Sequence, residues 1–141
     1  MAKNSLPLYG KTVGVIGTGK IGRVFADICR GFGMNIIAYD KFPNPGAGLE
    51  YVELDELFQR SDIISLHCPL TEETHHLINA ESIKLMKPTV TIINTSRGGL
   101  INTYDLIQGL QYGTNLHIGI LFFHDYGNEK CALPFRHTIH S

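Results

Sequence analysis

The feature that most constrains this chain is Gly17-Thr18-Gly19-Lys20-Ile21-Gly22, three glycines in a GxGxxG spacing. Before it, Lys11 to Ile16 is a short β-branched run that reads as a buried strand. After it, Ile21, Val24, Phe25, Ile28, Cys29 and Phe32 recur at steps of three and four. That spacing predicts an amphipathic helix with one apolar stripe facing the core, closed by Gly33. In a strand–turn–helix of this kind the first glycine permits the tight bend. The second lets a pyrophosphate approach the backbone, and the third lets helix and strand pack closely. The helix that opens there points free N–H groups and its positive dipole end toward phosphate.

The spacing alone is common, so the rest of the chain has to support it. Strand signals recur at Met34 to Tyr39, Asp62 to Leu66, Val90 to Ile93 and Leu116 to Phe122. Between them, Lys41 to Gly48 is a Pro- and Gly-containing surface loop. Leu54 to Arg60, Asn79 to Met86 (capped by Asn79) and Thr103 to Tyr112 read as helices. Short apolar strands alternating with helices predict a doubly wound α/β domain of Rossmann type, its parallel sheet covered on both faces. Asp40 then falls at the end of the second strand, 18 residues after Gly22. A carboxylate near a ~20-residue offset binds the ribose hydroxyls of a dinucleotide. It also repels a 2′-phosphate, so the cofactor expected is NAD rather than NADP. Lys41 beside it works against that repulsion.

Bulk properties agree with this reading and exclude others. A chain of 141 residues has room for one domain. A formal charge of −1 offers no electrostatic reason to bind nucleic acid or an anionic membrane. No apolar run approaches the ~20 residues that cross a bilayer. Cys29, Cys68 and Cys131 are scattered and odd in number, which suits reduced thiols in a cytoplasmic protein. No His/Cys/Asp cluster has metal-ligand spacing, and His75, His76 and His117 read as solvated or packed side chains. Cys29, on the helix stripe, reads as core, whereas Cys68 is open to a reading as a reactive thiol.

A second signal, Asn94-Thr95-Ser96-Arg97-Gly98-Gly99, follows the fourth strand. Ligands of open α/β sheets sit beyond the carboxyl ends of the strands, and a guanidinium there can grip a carboxylate through two parallel hydrogen bonds. An arginine capping a surface turn would carry the same pattern.

Taken together, Gly14 to Gly22, Gly31-Phe32-Gly33-Met34, Ala38-Tyr39-Asp40, Ser65-Leu66-His67-Cys68-Pro69-Leu70 and Asn94 to Leu100 resemble the D-2-hydroxyacid dehydrogenases. The fermentative D-lactate dehydrogenase branch is the most similar, over roughly residues 8 to 112. The resemblance implies hydride transfer between NAD(H) and a 2-oxo or 2-hydroxy acid, and a homodimer formed through this domain. It implies that Gly17, Gly19, Lys20, Ile21 and Gly22 receive the pyrophosphate. Cys68, Pro69 and Thr74 would line the cofactor, and Thr95 and Ser96 would lie beside the nicotinamide ribose. Arg97 would orient the substrate carboxylate and polarise its carbonyl.

Toward its ends the chain departs from the family. About ten residues precede the first strand, where the family has part of a substrate domain. After the fifth strand the Asp-Val-Tyr-Glu stretch of the family is replaced by Gly119 to Glu129. The family's Thr-x-His pattern appears only as Thr138-Ile139-His140. Catalytic candidates there are His140 and Glu129. The expected organisation is a truncated dinucleotide-binding domain over 1–121 and an irregular tail over 122–141, catalytically incomplete. The alternative is a non-catalytic NAD-sensing module, similar to the corepressors of the same family.

Overall fold

The computed structural model describes residues 8–112. Five parallel strands, β1 (Thr12–Ile16), β2 (Asn35–Tyr39), β3 (Glu50–Tyr51), β4 (Ile63–Leu66) and β5 (Thr91–Asn94), form one sheet in the order β3-β2-β1-β4-β5. Parallel neighbours need crossover connections. Four helices accompany the strands: α1 (Lys20–Gly31), α2 (Leu54–Arg60), α3 (Ala80–Leu85) and α4 (Thr103–Tyr112).

Side chains alternate across a strand, and β1 uses both of its faces. Val13 and Val15 join Ala26 and Cys29 of α1 in one cluster. Ile16, Ile64, Leu66 and Ile92 join Leu57 and Phe58 of α2, Met86 and Leu106 in the other. The sheet is therefore covered on both faces, as the strand–helix alternation predicts. From β1 the chain winds outward to β2 and β3, then returns across the sheet to β4 and β5. The reversal falls between β1 and β4, and beyond the carboxyl ends of such strands a doubly wound sheet offers its ligand crevice.

Most elements match the sequence reading to within a residue or two. Asn79 caps α3 as expected, in a reciprocal capping box with Ser82. Three findings differ. The edge strand β3 pairs its two residues with Ile37 and Ala38 and is too short to show any periodicity. His76, expected in solvent, is half-buried, with its Nδ1 3.4 Å from Asn102 Nδ2.

The third difference concerns the stripe on α1. Gly22, Ala26 and Cys29 are its buried residues, with Phe25 half-buried. Ile21, Val24, Ile28 and Phe32 are 73%, 51%, 55% and 49% exposed. The helix lies so close to the turn before it that its smallest residues face inward, which rotates the larger apolar ones outward. The expected fifth strand over 116–122, the tail over 122–141, His117, Glu129 and His140 lie outside the described residues.

Two contacts pin the turn that leads into α1. Gly17 N–H donates to Tyr39 O at 2.9 Å, and His67 N–H donates to Ile16 O at 2.7 Å. Gly17 adopts φ +96°, and a Cβ there would stand 2.6 Å from both Cys68 N and His67 C. A Cβ on Gly22 would stand 2.0 Å from Gly17 O. The third glycine is thus required by the carbonyl of the first, within the turn itself. Forced contacts of this kind cost about 1–3 kcal/mol or more. We therefore expect Gly22→Ala to lower Tm by about 4 °C or more, at roughly 4 °C per kcal/mol, where the ranges for smaller and larger domains meet. Gly31→Ala, where a Cβ meets nothing within 4 Å, should leave Tm unchanged or slightly raised. Equal melting of the two variants in a calorimetric scan would contradict this account of the turn.

Candidate functional site

The segments that leave the carboxyl ends of β1, β2 and β4 enclose a cavity of about 470 Å³. Five of the expected cofactor residues line it: Gly17, Asp40, Cys68, Pro69 and Thr74. Tyr39, Phe42, Leu54 and Leu77 add apolar wall that no single motif announces. Lys41 and Glu73, reaching the cavity from different segments, form an ion pair with each other. Both side chains are largely exposed, so the pair adds little stability, but it partly offsets the cation expected to soften the repulsion of Asp40 for a 2′-phosphate.

Gly19 stands at the N-cap of α1, with open space where a Cβ would be and no side chain capping the helix. No acid occupies the first turn, and Lys20 and Ile21 are exposed. The three glycines thus divide the work. Gly17 and Gly22 are required by the protein's own backbone, whereas Gly19 leaves room for something outside it.

Asp40, at the end of β2, is tied to this turn. Its Oδ2 accepts from Thr18 N–H at 2.7 Å and from the Thr18 hydroxyl at 3.0 Å, and its Oδ1 accepts from Phe42 N–H at 2.9 Å. Partial burial pushes the carboxyl pKa up, but the hydrogen bonds from Thr18 and Phe42 outweigh it and leave the group below its ordinary value. Asp40 is an anion at neutral pH.

Burial pushes the Cys68 thiol up to about 11. At neutral pH Cys68 is thus a protonated wall residue, which favours its reading as a lining residue over the alternative of a reactive thiol. Thr74 shapes the loop after β4, donating its hydroxyl proton to Pro69 O at 2.7 Å and accepting from Thr71 N–H at 2.7 Å.

The β5 turn lies beside the cavity rather than in its wall. Ser96 Oγ donates to Cys68 O at 2.9 Å, which fastens the turn to the end of β4. Asn94 orders it from within, accepting from Ser96 N–H at 3.0 Å and donating to Arg97 O at 2.8 Å. Thr95 is half-buried and Arg97 is exposed, with extended backbone at the start of a 3₁₀ turn.

His67, which carries no assigned role in the sequence reading, backs the glycine turn. Its ring centroid is 5.0 Å from that of Phe25, and its Nε2 is 2.8 Å from Ser65 Oγ. Burial pushes its pKa down, so it stays a neutral packing group. Among the described residues no group of three or more His, Cys, Asp or Glu side chains is placed to hold a metal. No helix among them is long and apolar enough to cross a membrane.

An open N-cap glycine at a helix N-terminus, an anionic carboxylate on the wall and an apolar cavity beside both fit a dinucleotide. Comparison with known proteins agrees. The family model for the D-isomer specific 2-hydroxyacid dehydrogenase NAD binding domain matches residues 2–125. A 2-hydroxyacid dehydrogenase homolog of Haemophilus influenzae is 52% identical over 126 residues, 87% of this chain and 37% of that protein. The D-lactate dehydrogenase of Escherichia coli is 50% identical over 126 residues, again 87% of this chain and 37% of that protein. The NAD-complexed structure of a D-isomer specific 2-hydroxyacid dehydrogenase from Lactobacillus delbrueckii superposes with a TM-score of 0.76 at 38% identity, covering 82% of this chain and 36% of that one. The chain thus spans a little over a third of the length of these relatives. It belongs to the D-isomer specific 2-hydroxyacid dehydrogenases and corresponds to their NAD binding domain.

Proposed function

We propose that this chain is the cofactor-holding part of a dehydrogenase that moves hydride between NAD(H) and a 2-oxo or 2-hydroxy acid, D-lactate or a close analogue. The observation that carries this reading is the cavity at the sheet's switch point, where Gly17 and the anionic Asp40 share one wall. The pyrophosphate lies over Gly17, Gly19, Lys20, Ile21 and Gly22, where the α1 N–H groups and dipole meet its charge. Asp40 accepts from the adenosine ribose, Cys68, Pro69 and Thr74 form the cofactor wall, and Thr95 and Ser96 border the nicotinamide ribose. Bound NAD(H) supplies the hydride chemistry.

Arg97 receives the substrate carboxylate. A guanidinium presents two parallel donors to a carboxylate, which fixes the 2-carbon next to the cofactor side of the β5 turn. Arg97 binds and orients, and reduction also requires a proton at the carbonyl oxygen. That proton needs a separate acid; His140 and Glu129 are this chain's own candidates and lie outside the described residues. We retain 1–121 as the dinucleotide-binding unit and 122–141 as its tail. A cytoplasmic location is in keeping with Cys29 and Cys68, both free and buried. The relatives named above are described as dehydrogenases, which leaves the corepressor-like alternative without support.

We extend the reading to a homodimer. The exposed apolar face of α1 (Ile21, Val24, Ile28, Phe32) suits a second copy, because single scattered apolar residues are ordinary on a surface but a contiguous row marks an interface.

Three measurements test these readings. Gly19→Val should abolish NADH binding in a calorimetric titration while leaving Tm unchanged, since only the ligand needs that space. Retained NADH affinity would remove the pyrophosphate from this turn. In a chain completed with a relative's substrate domain, Arg97→Ala should lower kcat/KM for pyruvate-like acids by about 100-fold or more, with NADH affinity little changed. Near-normal turnover would return Arg97 to a surface role. Ile28→Glu should shift the sedimenting species from dimer to monomer, and a wild-type monomer would refute the interface.

A further inference from the structure

Thr18 and Tyr51 connect β3 to the glycine turn through a chain of hydrogen bonds whose direction follows from chemistry alone. The Asp40 carboxylate is ionised, so the single proton of the Thr18 hydroxyl goes to Asp40 Oδ2, 3.0 Å away. The 2.8 Å contact between Thr18 Oγ1 and the Tyr51 hydroxyl must then carry the Tyr51 proton. The Tyr51 oxygen in turn accepts from Asn44 N–H at 3.0 Å. Protons run in one direction, from Asn44 to Tyr51 to Thr18 to Asp40. Thr18 is buried and Tyr51 half-buried, so competing water is limited at the centre of this chain.

The consequence falls on Asp40. An ionised carboxylate has about four acceptor positions. Thr18 occupies both on Oδ2, and Phe42 N–H occupies one on Oδ1. One position on Oδ1 remains for a ligand. With Oδ2 held from two directions, the carboxylate can neither rotate to offer both oxygens nor swing its charge away from an approaching anion.

We propose that Tyr51, acting through Thr18, is a specificity-determining positioning residue: it locks the Asp40 carboxylate so that one oxygen accepts a ribose hydroxyl and its charge stands against a ribose 2′-phosphate. This rests on the reading of the cavity as the adenosine-ribose site. Asp40 supplies the charge that discriminates, and Tyr51 supplies the rigidity that makes the discrimination unavoidable. Without the lock the carboxylate yields to a 2′-phosphate.

The test is a titration of the full 141-residue chain with NADH and with NADPH, for wild type, Tyr51→Phe, Thr18→Val and the double variant. Tyr51→Phe should cut the NADH-over-NADPH preference by about 3–10-fold, the range of one net hydrogen bond. The double variant should lose no more than the larger single loss, because both changes break the same chain of bonds. A role confined to folding would weaken both cofactors alike and leave their ratio intact. An unchanged ratio in Tyr51→Phe, or additive losses in the double variant, would overturn the lock. If Tyr51→Phe fails to fold, Thr18→Val decides alone by the same ratio. A wild-type chain with no preference for NADH would overturn the ribose-site reading as well, which separates that failure from failure of the lock.

Discussion

At Gly17 the backbone passes so close to the start of the β4 loop that no side chain fits between them. The left-handed φ there turns the chain out of β1, and the Gly17 carbonyl then presses against Gly22, five residues later in the first turn of α1. Both contacts are backbone on one side, so neither is relieved by a side chain changing rotamer. The position of α1, the direction of its N–H groups and the crevice between β1 and β4 all follow from this close approach. His67 and Phe25 fill the space behind it, and the bonds to Tyr39 and Ile16 hold it from either side.

The same approach decides which face of α1 is buried. A helix this near its own turn can present only small side chains to the sheet, and Gly22, Ala26 and Cys29 meet that requirement at near-helical spacing. Burial of each large apolar side chain stabilises by roughly 1.5–3 kcal/mol, and on this helix that gain is forgone for four residues in the isolated chain. That exposed row is what the dimer proposed above would cover. The larger cluster lies on the opposite side of the sheet, where Leu57, Ile64, Leu66, Ile92 and Leu100 are fully buried.

The site divides in a similar way. Asp40 was legible because the role proposed for it, ribose recognition, requires an acid at a known distance from the glycines. Arg97 was legible as a cation at a strand's carboxyl end, and its assignment drew on the resemblance. Tyr51 was not legible, because β3 is two residues long and its partner in the hydrogen-bond chain is 33 positions away. Leu54 and Leu77 carry no signal of their own in the sequence, since a cavity wall and a core have the same side-chain chemistry. Cys68 stood in a recognisable motif, but its thiol chemistry depends on burial, which no motif states.

The sequence by itself determined the strand–helix alternation, the glycine turn, the acid at the end of β2 and the family, because each depends on local periodicity or on residue types at short, fixed offsets. Only the tertiary structure decided the inward face of α1, the protonated state of Cys68, the ion pair of Lys41 with Glu73, and the use of Thr18 and Tyr51 to hold Asp40. These depend on which distant segments meet and how closely. Hydrophobic periodicity reports that a helix has an apolar side, whereas the distance between two backbones determines which residues can fit there.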